Sequence, residues 1–585
     1  MKGSNMMHWR QKVDYWLETL GDEDPLKIDL LKNLSNEKLM EDSFYKDLAF
    51  GTGGIRSVMG PGSNRLNVYT VRKSALGLAQ YILDQDDDAK TRGVVIAYDS
   101  RHLSQEFALE AAKTIGRQGV QVYLFDELRP TPLLSFAVRH LNAYAGIIIT
   151  ASHNPPAYNG IKMYGQDGAQ LPPAAVDSMV GYLEQIESEL LIEAADEKQL
   201  KKSGLLRYIG EKVDLAYIQA LRTIQLDKKA QPKDLYIVFT ALHGTATKPV
   251  KKAFSALGFN DVIFVKEQSF PDGNFSTVKS PNPEDAAAFD MAIQYGKESN
   301  SDILLATDPD ADRLGVAVKN DLNEYVLLTG NQMGAILIQY MLEQKKLAGN
   351  LPEDGCIIKT IVTTELASAI ATNYGIKTID TLTGFKFIAE KINEFKQFNS
   401  HTFLFGYEES YGFLIGDFVR DKDAIQAAVF ISEAAAYYKN QGKSLYKILT
   451  GLFEKFGYYK EETRSIMLEG KNGAEQIERI MTSFRDEPPG TINSIPVIKI
   501  EDYFKRESLD TVTGEKAEIN LPKSDVLKYK LEDGSSICIR PSGTEPKCKF
   551  YFAVKGKTAE SANERLSELV KAVFNSTCDL ALHSI

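Results

Sequence analysis

The sequence predicts an α/β fold of several domains, and three observations carry that reading. Short β-branched apolar runs alternate with stretches whose apolar residues recur at helical spacing, the pattern of mostly parallel sheets flanked by helices. Three such runs, Ile147–Ile149, Ile303–Ala306 and Phe403–Phe405, each empty into a polar loop, which suggests related αβ domains facing a common cleft, although no sequence period is clean. From about Gly457 the chain changes to runs that read as antiparallel strands closed by one amphipathic helix, a separate α+β domain. At 585 residues one core is too small, and about 150 residues per domain gives about four domains.

In order along the chain, the first fifty residues read as helices that pack and cap, with Trp9, Val13, Trp16, Leu17 and Leu20 at helical spacing and Leu30, Leu31 and Leu34 after them. Phe50-Gly51-Thr52-Gly53-Gly54-Ile55-Arg56 follows. Its glycines let backbone N–H groups approach an anion and its arginine offers a planar fork for phosphate, yet alone such a run is more often a turn. Val94–Ala97, Val120–Phe125 and Ala145–Ile149 are strands, with a helix through Phe107, Leu109, Ala112 and Ile115 between the first two. Ligands collect at the carboxyl ends of such strands. There lies Thr150-Ala151-Ser152-His153-Asn154-Pro155-Pro156-Ala157-Tyr158-Asn159-Gly160-Ile161-Lys162, a turn pinned by two prolines that presents a serine, a histidine and a lysine. Pro173 to Asp227 reads as a charged helix and linker, with a boundary near Gly204-Leu205.

The second unit opens with Leu235–Phe239 and ends its last strand, Ile303–Ala306, in Asp308-Pro309-Asp310-Ala311-Asp312-Arg313. The third contains Ile357-Ile358, Ile361-Val362, a turn at Thr383-Gly384-Phe385-Lys386, and Phe403–Phe405 running into Gly406-Tyr407-Glu408-Glu409-Ser410-Tyr411-Gly412. In the last, Val497–Ile500, Val526–Leu531 and Ser536–Ile539 precede Arg540-Pro541-Ser542-Gly543-Thr544-Glu545-Pro546-Lys547, then a strand Phe550–Val554 and a helix through Ala562, Leu566 and Leu569. The expected domains are 1–205, 206–323, 324–455 and 456–585.

Composition excludes several classes of function. With 43% hydrophobic and 25% charged residues the chain is that of a soluble globular protein. No apolar run approaches the ~20 residues of a membrane span, and the start lacks the basic-then-apolar layout of a signal peptide, so a cytoplasmic enzyme is expected. A net charge of −11 argues against nucleic acid as the main partner. A small anionic substrate stays compatible where local basic groups outweigh the global field. Cys356, Cys538, Cys548 and Cys578 lack CxxC spacing, so neither a zinc site nor a disulfide framework is expected.

Asp308, Asp310 and Asp312 stand at alternate positions and converge on one hard cation if the loop curls, with oxygen ligands suited to Mg²⁺. A calcium loop needs glycine sixth and glutamate twelfth, where this chain has Arg313 and Lys319. A magnesium ion with open positions takes waters or a phosphate oxygen. The Arg540–Lys547 run offers an arginine, hydroxyls and a tight turn, a phosphate cradle when taken together with the metal site, Ser152 and Arg56. GxSxG is absent, which disfavours a serine hydrolase. His153, adjacent to Ser152, would point away from it on an extended chain. Lys162, if partly desolvated near other cations, would have a lowered pKa and could move protons.

Four separated motifs, TASHNPPAYNGIK, DPDADR, GYEES and RPSGTEPK, stand in the order found in the α-D-phosphohexomutase superfamily, and the chain resembles most its phosphoglucomutase branch of long bacterial phosphosugar mutases. The resemblance implies four domains around a central cleft, three related αβ domains with mixed sheets and a C-terminal α+β domain. It implies an intramolecular phosphotransferase that converts α-D-glucose 1-phosphate to glucose 6-phosphate through a phosphoserine enzyme and glucose 1,6-bisphosphate, with Mg²⁺ as cofactor. Ser152 would carry the phosphoryl group, and Asp308, Asp310 and Asp312 would hold the metal together with the phosphoserine. Arg56, Lys162 and His153 would act in catalysis, with Lys162 the leading acid/base group. Glu408 and Ser410 would grip sugar hydroxyls, Thr383, Gly384 and Lys386 would bind substrate, and Arg540, Ser542, Gly543 and Thr544 would hold the non-reacting phosphate. Arg313 would be a further cleft residue. Ser57 departs from the glycine expected after Arg56 and predicts a slightly reshaped loop. The expected partners are small sugar phosphates, without nucleic acid or membrane, for a monomer or small homo-oligomer. The alternatives are a phosphopentomutase or phosphomannomutase, an aspartate-dependent phosphatase using Asp308 and Asp310, and a sugar-phosphate-binding protein without turnover.

Overall fold

The β-branched runs become the centre of a mixed sheet of Ile55–Val58 (β1), Val94–Tyr98 (β2), Val122–Phe125 (β3), Ala145–Ile149 (β4), Tyr158–Tyr164 (β5) and Leu206–Ile209 (β6), ordered β1-β5-β4-β2-β3-β6. In the computed structural model, which describes residues 8–51, 54–86, 88–227, 235–468, 470–541 and 547–582, β4, β2, β3 and β6 are parallel. Helices Val68–Leu83, Ser104–Arg117 and Thr131–His140 belong to the same domain, and the strand residues of β2 and β4 are buried throughout, as parallel strands require. β5 folds back antiparallel on β4, and β1 runs antiparallel to β5. Gly160 is dictated by that close pairing, since a Cβ there would lie 2.4 Å from the Ile55 carbonyl and 2.7 Å from that of Thr150.

Two expectations change here. Pro173 to Asp227 is not helix and linker alone, because Leu206–Ile209 pairs in parallel with β3 and carries the first sheet past residue 205. Only Leu206 of that strand is fully buried, so the run lacks the apolar continuity that marks a central strand. Tyr158–Tyr164 is a strand rather than the tip of a turn: Ile161 and Met163 enter the core while Lys162, opposite Ile148, faces the other side.

The second sheet comprises Ile237–Thr240 (β7), Val262–Phe264 (β8), Ile303–Thr307 (β9), Leu314–Lys319 (β10) and Tyr325–Leu328 (β11), ordered β11-β10-β9-β7-β8. β7, β8 and β9 are parallel, and β10 turns back antiparallel on β9. Both sheets thus place a polar loop between a parallel strand and an antiparallel return. Helices Trp9–Thr19, Pro25–Asn33 and Glu37–Phe44 form the expected N-terminal packing segment, with Trp16 against Phe44 and Tyr69 at centroid distances of 5.5 and 5.9 Å.

These domains, Met1–Thr329, form one compact unit together with Ser410–Gly442, a segment expected in the third domain. Its long helix, Ala424–Lys439, is buried along nearly its whole length. The second unit is Gly330–Glu409 with Lys443–Ile585. It holds the parallel strands Gly355–Thr360 (β12), Lys377–Thr381 (β13) and Thr402–Glu408 (β14), and a sheet whose pairings are antiparallel, including Ile495–Asp502, Leu527–Leu531, Ser536–Pro541 and Lys547–Gly556, packed with the helix Ala559–Leu582. The antiparallel C-terminal domain is as the sequence predicts. Among the described residues no helix is long and apolar enough to cross a membrane.

Candidate active site

β4 delivers its chain into Ser152, which is buried and adopts φ +53°. Thr150 Oγ1 accepts the Ser152 N–H at 2.9 Å. Arg101 donates to the carbonyls of Ser152 at 2.6 Å and of Pro155 and Tyr158 at 2.9 Å, and also to that of Asn154. The left-handed serine corrects the expectation for His153. The chain is not extended at this point, so the imidazole folds back and its Nδ1 lies 3.0 Å from Ser152 Oγ. The same hydroxyl donates to Asp308 Oδ2 at 2.6 Å.

The aspartates come from the loop between β9 and β10. Asp308 Oδ1 accepts the N–H groups of Asp312 and Arg313 at 3.1 and 3.0 Å, which curls the loop. Asp310 Oδ2 accepts from Thr131 Oγ1 at 2.8 Å and from Lys162 Nζ at 2.7 Å. Lys162 also reaches Asp312 Oδ2 at 3.1 Å, and Lys422 reaches the same oxygen at 3.2 Å. Lys422 stands 3.3 Å from Asp421 Oδ1, and Asp421 accepts from Tyr164 at 2.7 Å and Gln170 at 3.0 Å.

The expected lowering of the Lys162 pKa is overturned. Burial works against its charge, but Asp310 and Asp312 beside it more than offset that and hold it above the ordinary lysine value. His153 goes the other way: burial, then the charges of Arg313 and Arg56, push its pKa well down, so the ring is neutral at neutral pH. Burial drives the Asp308 pKa up, with Asp310 and Asp312 adding to it. Asp312, although buried, is held well below the ordinary range by Lys162, Lys422 and Arg313.

This group fits a metal ion. One oxygen from each of Asp308, Asp310 and Asp312 lies within 4.8 Å of the others. Asp310 Oδ1 and Asp312 Oδ1 are buried and have no hydrogen-bond partner among the described residues, a state that costs about 1–3 kcal/mol per group unless something binds there. Two of the three carboxylates already have cations, and the proton-binding tendency of Asp308 marks the negative charge left over.

In the second unit, Gly384 takes φ +118° and leads into helix Phe385–Phe398, so Lys386 is in a helical first turn rather than the loop expected. Burial lowers the Lys386 pKa against the pull of Glu390, and the charge of Arg540 adds to the lowering. Arg540, last but one in its strand, lies directly opposite Lys549. Like charges opposite one another are unfavourable in a sheet, so this face suits an anion. Ser542, Gly543 and Thr544 lie outside the described residues, as do Thr52 and Gly53. Glu408 is the last, buried residue of β14, with Ser410 two positions on and Thr383 just before Gly384. Glu409 accepts from Thr360 and Thr363 at 3.1 and 3.4 Å, and burial with the neighbouring Glu408 charge pushes its pKa up to about 7.

Four regions match the domain descriptions of one family: "Phosphoglucomutase/phosphomannomutase, alpha/beta/alpha" domains I, II and III over residues 47–189, 215–321 and 329–456, and its C-terminal domain over 498–572. The chain belongs to the phosphoglucomutase/phosphomannomutase family. A phosphoglucomutase of Staphylococcus saprophyticus is 38% identical, with 94% of this chain and 98% of that protein covered. One of Staphylococcus aureus is 39% identical over 95% and 98%. Among solved structures, parafusin, a phosphoglucomutase from Paramecium in an open form, has a TM-score of 0.66 at 19% identity, covering 92% of this chain and 95% of that one. At that identity the likeness is one of fold.

Within this family fold, Arg56 is exposed on β1 and donates to Asn154 Oδ1 at 3.4 Å. Ser57 pairs with Asn159 as ordinary strand, and its Oγ donates to the Asn64 carbonyl at 3.0 Å. Arg313 pairs with Glu284. Lys422, Asp421, Thr131, Arg101 and Lys549 went unread in the sequence as site residues.

Proposed function

We propose that the protein catalyses the reversible conversion of α-D-glucose 1-phosphate to glucose 6-phosphate, with Ser152 carrying the phosphoryl group and glucose 1,6-bisphosphate as intermediate and activator. The observation that carries this reading is Ser152 Oγ held 2.6 Å from a buried aspartate of a three-aspartate loop whose other two members share Lys162. The family and the names of the similar proteins support it. Asp308, Asp310 and Asp312, with an oxygen of phosphoserine 152, would hold Mg²⁺. When bound, it supplies Lewis-acid neutralisation of phosphoryl charge.

The chain's own residues do the rest. Lys162, kept charged, stabilises the transferring oxygens and donates a proton to the oxygen that leaves. His153, kept neutral, accepts the proton of the attacking hydroxyl. Arg56 binds phosphoryl oxygens, Glu408 and Ser410 bind sugar hydroxyls, and Arg540 with Lys386, Ser542, Gly543 and Thr544 anchors the non-reacting phosphate. Burial of Ser152 keeps water from the phosphoenzyme. Substrates are small sugar phosphates, and the site of action is the cytoplasm.

The test is turnover of the 1-phosphates of glucose, mannose, ribose and N-acetylglucosamine, with Mg²⁺ and catalytic glucose 1,6-bisphosphate. Glucose 1-phosphate is expected to have the highest kcat/KM, and preference for another sugar would reassign the substrate. The phosphoenzyme should survive brief mild alkali, whereas rapid hydrolysis would point to an aspartyl phosphate. Arg540→Ala is expected to raise KM by about 10- to 100-fold, the worth of one charge-assisted contact, with a smaller change in kcat. A loss confined to kcat would remove its anchoring role.

A further inference from the structure

Ser152 is gripped on both sides of its own backbone, by Thr150 just before it and by Arg101 past the end of β2, where Asp99 and Arg101 are 2% and 3% exposed. On one side, Thr150 Oγ1 accepts the Ser152 N–H at 2.9 Å. Asp99 Oδ1 accepts the Arg101 N–H at 2.9 Å and the Ser104 hydroxyl at 2.7 Å. On the other side, Arg101 Nη2 holds the Ser152 carbonyl at 2.6 Å and its fork continues to the carbonyls of Asn154, Pro155 and Tyr158. Arg101 Nε lies 3.5 Å from Asp99 Oδ2, a buried ion pair that holds the guanidinium in place. Phe275, itself buried, stacks its ring 4.9 Å from the guanidinium carbon.

We propose that Asp99, Thr150 and Arg101 are a positioning clamp that holds Ser152 in its left-handed conformation and so aims its Oγ for phosphoryl transfer. The inference rests on the reading of Ser152 as the phosphoryl carrier. A serine at positive φ persists only where its surroundings over-determine it, and here the N–H and the C=O are fixed separately. Relaxation toward an extended backbone would turn Oγ away from Asp308 and His153. The task also explains the residue types. Five donors in a rigid plane can span several carbonyls, which the three donors of an ammonium around one nitrogen cannot. These groups act through the backbone of Ser152, so their loss is felt in the rate of reaction rather than in substrate affinity.

The experiment follows labelling of the dephosphorylated enzyme by radiolabelled glucose 1,6-bisphosphate in a single turnover, with steady-state kcat and KM alongside. Thr150→Val keeps the side-chain shape and removes the acceptor of the Ser152 N–H, and Arg101→Lys keeps the charge and removes the fork. In each the labelling rate and kcat are expected to fall about ten- to a hundred-fold, with labelling amplitude and KM within about two-fold of the unmodified protein. An unchanged rate overturns the clamp, and so does reduced amplitude at an unchanged rate, the sign of lost folded protein alone. Should Arg101→Lys fail to fold, Thr150→Val decides. Ser152→Ala is run in parallel: its labelling would overturn the phosphoserine reading itself, while no labelling there with normal rates in the two clamp variants overturns the clamp alone.

Discussion

Ser152→Ala is expected to lower kcat by at least about 10⁴-fold, because it removes the atom that receives and returns the phosphoryl group and no rearrangement of the others supplies a nucleophile. The loss should be one of chemistry. Alanine removes one hydroxyl from a site 1% exposed, and with it the hydrogen bonds to Asp308 and His153, a net change of about 1–3 kcal/mol. The carboxylate left behind is one whose pKa burial and two neighbouring aspartates already push up, so it can take a proton instead. Folding and sugar-phosphate binding are therefore retained. A glucose 6-phosphate dehydrogenase-coupled assay with Mg²⁺ and glucose 1,6-bisphosphate checks this, with isothermal titration of glucose 1-phosphate as the binding control. Near-normal turnover would mean that another group carries the phosphoryl.

What the sequence disclosed and what it concealed divide along a physical line. The loops bearing Ser152 and the three aspartates were legible because each follows a continuously apolar strand and is itself dense in polar residues, a contrast that local composition records. The position of His153 was not legible, since it depends on one backbone angle at Ser152 that Thr150 and, from 51 residues away, Arg101 hold. Lys162 was found as a residue and misplaced as an element. Its strand contains a glycine and a lysine, and its charge is buried because Asp310 and Asp312, 148 and 150 residues later, meet it. Lys422 belongs to a segment that its chain position assigns to the third domain but that packs with the first two. Such long-range pairings are where low-dielectric charge chemistry is set, and no local pattern carries them.

Lys162→Met is expected to separate the structural from the catalytic part of that pairing. Lys162 is 3% exposed and lies between two buried carboxylates, so removing its charge while keeping its length leaves Asp310 without an ammonium partner and Asp312 with Lys422 as its closest one. Breaking a buried pair in this way costs about 3–5 kcal/mol, read as a lower midpoint for the first unfolding transition. The pH dependence has a definite sign. In the unmodified protein the Asp310 and Asp312 pKa values lie below the ordinary 3.8, so these groups contribute stability above that pH and lose it as the pH falls through their folded values. Without Lys162 their folded pKa values rise. The deficit of the variant should then be largest at neutral pH and shrink as the pH approaches about 4, where protonation removes the unpaired charge. Divalent cation works in the same direction, because charge delivered to the triad replaces the missing ammonium: Mg²⁺ should raise the midpoint of Lys162→Met more than that of the unmodified protein. Calorimetry at neutral pH and near pH 5, with and without Mg²⁺, checks both slopes. A deficit that grows on acidification would show that Lys162 is not what holds these carboxylates ionised. Catalysis should fall as well, by about 10²–10⁴-fold in kcat, and recovery of stability with Mg²⁺ without recovery of turnover would show that Lys162 acts on the phosphoryl group itself and not only on its neighbours.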